Sequence, residues 1–104
     1  MATIRLQTHE IAIIKESFHK YFMEFDHIWI FGSRVNPKVR GGDIDLYIET
    51  NYQDPKKIFE AKLDFVVALK TQLGEQKIDL IIKMDDDFDL PIYHVAKSEG
   101  IQLL

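Results

Sequence analysis

Asp43 and Asp45 stand two residues apart in "GGDIDLYIE", residues 41–49. Around them Ile44, Leu46 and Ile48 alternate with Asp43, Asp45, Tyr47 and Glu49. A period of two places both carboxylates on one face of a strand, their Cα atoms about 6.6 Å apart. Like charges that close repel, and a cation between them resolves the conflict. A third acid, Asp79, interrupts the apolar run "KIDLIIK", residues 77–83. An ionised carboxylate there costs free energy unless it is paired or metal-bound. If the strand of Asp79 lies beside that of Asp43 and Asp45, the three acids form one cluster. Oxygen-only donors favour Mg²⁺ or Mn²⁺ over zinc, and the absence of cysteine removes thiolate sites.

The segment before these acids, "FGSRVNPKVRGG", suits phosphate. Gly32 lets the main chain approach a phosphate closely. Ser33 offers a hydroxyl and an amide. Arg34, Lys38 and Arg40 supply positive charge for phosphate oxygens, the arginines in bidentate fashion. Gly41 and Gly42 allow a tight turn into the second strand. The chemistry implied is that of a metal-bound nucleoside triphosphate. A lone acid-x-acid pair is weak evidence, since "DDDFD", residues 85–89, contains others. The order of the parts is far more specific: apolar strand, Gly-Ser, basic loop, acid-x-acid, then a solitary aspartate in a later strand. The competing reading takes Asp43 as a turn acid and Asp45 as a solvated one, and it leaves Asp79 unexplained.

The elements that must position these residues follow from periodicity. "THEIAIIKESFHKYF" sets Ile11, Ile14, Phe18 and Tyr21 or Phe22 at helical spacing, with Thr8 as the expected N-cap. "HIWIF", residues 27–31, reads as a strand buried on both faces, with Trp29 in the core. "KKIFEAKLDFVVALKTQL" predicts a helix whose inner stripe is Phe59, Leu63, Val66, Leu69 or Lys70, and Leu73, stopped by Gly74. Residues 77–83 form a third strand, with Ile78, Leu80 and Ile82 on one face and Asp79 and Ile81 on the other. "PIYHVAKSEG" is a helix bracketed by Pro91 and Gly100, where Tyr93 and Ile92 could meet a partner. The expected fold class is α+β: a small mixed sheet with helices packed on one face, in a single domain over residues 1–104. Tyr47 and Tyr52 are read as packing or solvent-edge residues ahead of an adenine-stacking role. His9, His19, His27 and His94 share no metal-ligand spacing, so surface or capping roles are expected.

The totals exclude several classes. With 104 residues, 46% of them apolar, the chain is globular and leaves little room for a second lobe to grip an acceptor. A net charge of −4 argues against direct nucleic-acid binding and a template-reading role. No apolar run approaches a membrane span, and the start carries no secretory pattern, so the expected compartment is the cytoplasm.

The motif resembles the signature of the DNA polymerase β-type nucleotidyltransferase superfamily: an apolar residue, Gly, Gly or Ser, about ten residues, acid-x-acid, and a third acid on a later strand. Here this reads Phe31-Gly32-Ser33, nine residues, Asp43-Ile44-Asp45, then Asp79. In "GSRV…GGDIDLYIE" and the ending "PIYHVAKSEGIQLL", and so over nearly its whole length, the chain is similar, more narrowly, to the minimal nucleotidyltransferases. That resemblance implies an antitoxin that transfers AMP from ATP to a tyrosine hydroxyl of a HEPN-domain ribonuclease toxin, in a hetero-oligomer with it. It implies triphosphate binding at Gly32 and Ser33, and two Mg²⁺ ions held by Asp43, Asp45 and Asp79 as the catalytic trio. Arg34, Lys38 and Arg40 as phosphate contacts rest on charge and position alone. Some members of the group lack the carboxylates and only bind, so a masking antitoxin without catalysis is the alternative. A small-molecule acceptor fits less well, because it needs the missing lobe.

Overall fold

The structure, a computed structural model, describes residue 4 and residues 6–35, 42–74, 76–84 and 88–104. In chain order these form α1 (Thr8–Tyr21), β1 (His27–Phe31), a 3-10 turn (Gly32–Arg34), β2 (Ile44–Thr50), α2 (Pro55–Leu73), β3 (Ile78–Met84), α3 (Pro91–Glu99) and β4 (Ile101–Gln102). The sheet runs β3-β2-β1-β4. β1 is antiparallel to β2 and to β4, whereas β2 and β3 are parallel, joined by the crossover through α2. The expected mixed α+β sheet is thus present. The short strand β4 has no counterpart in the sequence reading, because two residues carry no period to detect.

Alternation divides the sheet into two faces. Ile28, Ile30, Ile44, Leu46 and Ile48 point one way and are fully buried with Ile14, Phe18 and Phe22 around α1 and Ala61, Phe65 and Leu69 of α2. Aromatic edges lock that core: Phe65 meets Phe18 at 6.3 Å and Phe22 at 5.6 Å between centroids. On the opposite face Trp29 and Tyr47 are buried beneath Tyr93 and Ala96 of α3. The single helix-covered face expected from the sequence describes α1 and α2. α3 shields part of the other face, since Trp29 and Tyr47 give it apolar surface of its own. Tyr93 is therefore a core residue, stacked on Tyr47 at 5.5 Å, while Ile92 beside it is exposed.

Two local expectations are corrected. The N-cap of α1 is Gln7, one residue before Thr8; its amide donates to the Glu10 carboxylate at 3.0 Å. In α2 the buried stripe is Ala61, Phe65 and Leu69, while Phe59 and Leu63 are 61% and 49% exposed. Apolar residues occupy so much of this helix that two arcs compete, and docking of Phe65 between Phe18 and Phe22 sets the phase. The ends of α2 are as expected: Asp54 accepts from the Lys56 amide at 3.0 Å, Pro55 opens the helix, and Gly74 follows with φ +83°.

A buried carboxylate fixes the far end of the sheet. Asp26, 3% exposed, accepts hydrogen bonds from the Thr50 hydroxyl at 2.7 Å, the Asn51 amide at 2.7 Å and side chain at 3.0 Å, and the Met23 amide at 3.0 Å. With its oxygens so engaged it is a structural tie between the α1–β1 turn and the end of β2.

Candidate active site

β1 ends at Phe31, in register with Asp45. The next residue, Gly32, has φ +76°, a conformation L side chains rarely adopt. A Cβ at Gly32 would also be driven into the Asp45 carboxylate. Glycine is thus required twice over, by the turn and by the acid packed against it. Ser33 is buried, and its hydroxyl donates to the Asp43 carbonyl at 3.2 Å, tying the turn to the start of β2. The Val35 amide closes the turn on the Gly32 carbonyl at 3.1 Å.

Parallel pairing sets Asp45 directly beside Asp79. Burial, then the neighbouring Asp79 carboxylate, then Asp43 push the Asp45 carboxyl above its ordinary range. Lys77 opposes this, and its Nζ lies 3.8 Å from Asp43 Oδ2. Asp45, beside Gly32, therefore feels the charge of both Asp79 and Asp43. Carboxylate oxygens with excess negative charge are the donors a hard divalent cation takes. Among the described residues, however, no three acid or imidazole groups already stand as a ligand cage. Asp43 is turned toward Lys77, in a contact that is largely exposed and so holds it weakly.

Arg34 is placed differently from a simple phosphate contact. Its Nη2 donates to the Gly42 carbonyl and to Gln76 Oε1, both at 2.8 Å. Gln76 in turn donates to Glu10 Oε2 at 3.1 Å and to the Leu73 carbonyl at 3.1 Å. The guanidinium thus joins the entry to β2 with the entry to β3, the two segments that carry the acids. Lys38, Arg40 and Gly41 lie outside the described residues, as do residues 85–87 of the acidic loop.

Sequence reasoning missed Lys77 and Gln76. Lys77 could have been found, since it precedes Asp79 by two and shares its face; Gln76 carries no such signal. Tyr47 is a packing residue: its phenol donates to Glu49 Oε2 at 2.7 Å, and burial followed by Glu49 raises its pKa far above the ordinary value. Glu49 also pairs with Lys97 at 3.2 Å. A cleft of about 340 Å³ lies farther along the same face, between Tyr47, Glu49, Lys83, Tyr93, His94 and Lys97, and does not reach the acids. His94 is occupied by Asp89 at 2.7 Å.

A strand pair that sets acid beside acid, against a turn open only to glycine, fits the nucleotidyltransferase class. The family model described as "Polymerase beta, Nucleotidyltransferase" matches residues 13–104, and the chain belongs to that family. The match spans the Gly-Ser turn and all three acids. No curated protein matches the chain.

Proposed function

We propose that this domain is a metal-dependent nucleotidyltransferase that moves AMP from ATP to a tyrosine hydroxyl of a partner HEPN-domain ribonuclease, and so acts as its antitoxin. The observation that carries the transfer reading is the side-by-side placement of Asp45 and Asp79, with Gly32 packed on Asp45. Family membership supports the reaction class. The narrower choice of acceptor and partner rests on the likeness of the motif to the minimal nucleotidyltransferases. It is also supported by the open setting of the acids: Asp79 is exposed and the Asp43 side chain is 46% exposed, so a protein surface has access to them.

In this reading Gly32 and Ser33 receive the triphosphate, and Asp43, Asp45 and Asp79 would hold Mg²⁺. When bound there, Mg²⁺ would supply neutralising charge for the triphosphate and would lower the pKa of the incoming hydroxyl. The tyrosine oxygen forms a bond to the α-phosphorus as the bond to the pyrophosphate oxygen breaks in line, and Asp79 takes the tyrosine proton. Arg34 keeps the two acid-bearing segments together while this occurs.

The test is intact mass measurement after incubating the protein with ATP, Mg²⁺ and the product of the adjacent gene. Gain of whole AMP units on a partner tyrosine, lost with Asp45→Asn, supports the proposal. A partner held tightly but unmodified points to masking without catalysis. Modification of a small molecule in place of the partner overturns the acceptor assignment.

A further inference from the structure

β3 stands at one edge of the sheet, and among the described residues nothing pairs with its outer side. The Ile44 amide donates to the Lys77 carbonyl at 2.9 Å, which fixes the phase of the strand. Odd-numbered residues of β3 direct their main-chain groups to β2, and Leu80 and Ile82 direct theirs outward. Such an edge is a template for another strand. Leu80, Ile81 and Ile82 are only half-buried although each packs against one of the two cores. The charges on the edge are Asp79 and Lys83, spaced symmetrically about Ile81.

We infer that a second copy of this chain covers this edge, its β3 running antiparallel across a two-fold axis at Ile81. Leu80 then exchanges main-chain hydrogen bonds with the partner's Ile82, both being outward-facing positions. Ile81 meets its own equivalent. Asp79 stands opposite the partner's Lys83, and the relation is reciprocal, as a closed two-fold interface requires. Sliding the register by two residues one way sets Lys83 against the partner's Lys77; sliding it the other way carries Asp79 beyond the end of β3. A slip of one residue opposes outward to inward main-chain groups. Parallel pairing in register would set Asp79 against the partner's Asp79. Charge therefore selects one arrangement among those the edge allows. On its own chain Lys83 lies in register with Glu49, which is already engaged by Lys97 and Tyr47, and among the described residues its Nζ donates to the Met84 carbonyl at 3.3 Å.

In this dimer a lysine from one copy reaches the acid cluster of the other, so assembly and site are physically linked. The inference does not depend on the acceptor or on the transfer reaction.

Sedimentation velocity of the full chain over a range of micromolar concentrations at low salt tests it. A dimer is expected, weakened at least about tenfold by Lys83→Glu, which places like charges opposite each other. The double exchange Asp79→Lys with Lys83→Glu is expected to restore association. Hydrogen exchange of the unmodified chain gives a second reading that needs no variant. Slowing of the Leu80 and Ile82 amides as concentration rises, with Ile81 unchanged, is the expected pattern. A monomer at every concentration, a dimer indifferent to Lys83→Glu, amides indifferent to concentration, or an edge covered only by a strand of another protein each overturns the inference.

Discussion

Replacing Asp45 with Asn should stabilise the isolated protein while removing its chemistry. Asp45 and Asp79 are partners in the parallel ladder, and the charge of Asp79 is felt at the Asp45 carboxyl. Two unit charges about 4 Å apart repel by about 1 kcal/mol at the dielectric of water and about 4 kcal/mol at an effective value near 20. Asp79 is exposed, so solvent screening holds the figure near the lower end, about 1 kcal/mol. Asn keeps the shape that packs on Gly32, and its amide can donate to Asp79. For a domain of this size 1 kcal/mol corresponds to roughly 4–8 °C in Tm. The sign with pH follows from the raised carboxyl: the folded state binds the Asp45 proton more tightly than the unfolded state, whose ordinary value is 3.8. Wild-type stability therefore falls, relative to the variant, as pH rises from that value through the raised folded one. Thermal unfolding by circular dichroism at low salt is the assay, from pH 3 to neutrality. The two proteins should melt alike in acid and diverge at neutral pH, with Asp45→Asn higher. Millimolar Mg²⁺ should raise the wild-type Tm alone, by selective binding to the folded state. A variant that melts at or below the wild type at neutral pH, or that gains as much from Mg²⁺, refutes the reasoning.

Gly32→Ala combines an unfavourable positive φ with a collision at Asp45, and a loss of about 1–3 kcal/mol is expected in urea unfolding. Asp26→Ala strands the donors of Thr50, Asn51 and Met23; a loss of about 2–4 kcal/mol by the same measurement is expected, with nucleotide affinity unchanged in titration calorimetry. Arg34→Ala should lower the transfer rate by about 10–100-fold through misplacement of the acids, and Arg34→Lys should recover only part of it, because one ammonium cannot reproduce the fork to Gly42 and Gln76. Equal rates for the alanine variant and wild type in a single-turnover assay would remove Arg34 from this role.

The pairing of Asp45 with Asp79 was legible because each breaks a pattern, although Asp79 is exposed and the burial cost expected for it does not arise. Asp43 and Asp45 sit on the polar phase of a strand whose apolar phase is perfect, and Asp79 interrupts an apolar run. Gly32 announced a turn. The phase of α2 was not legible, since the expected stripe through Phe59, Leu63 and Val66 reads as well as Ala61, Phe65 and Leu69, and only tertiary docking on Phe18 and Phe22 separates them. The second apolar face was hidden because Tyr47 and Trp29 were counted within alternating or doubly buried strands, with no sign that α3 would cover them. Arg34 looked like a phosphate ligand because charge is visible in a sequence and a carbonyl partner eight residues away is not.

The crossover through α2 has a consequence for the order in which the molecule acquires its parts. β1 and β2 are close in the chain and can pair early, but Asp79 arrives beside Asp45 only after the whole of α2 has docked. Closing that long loop costs entropy, and the meeting of two acids adds a further barrier at the same moment. The reactive centre should therefore be the last part to mature and the first to be lost on unfolding. Pulse-labelling exchange should find β1 and β2 amides protected before those of β3, and the reverse order would show that the crossover forms first.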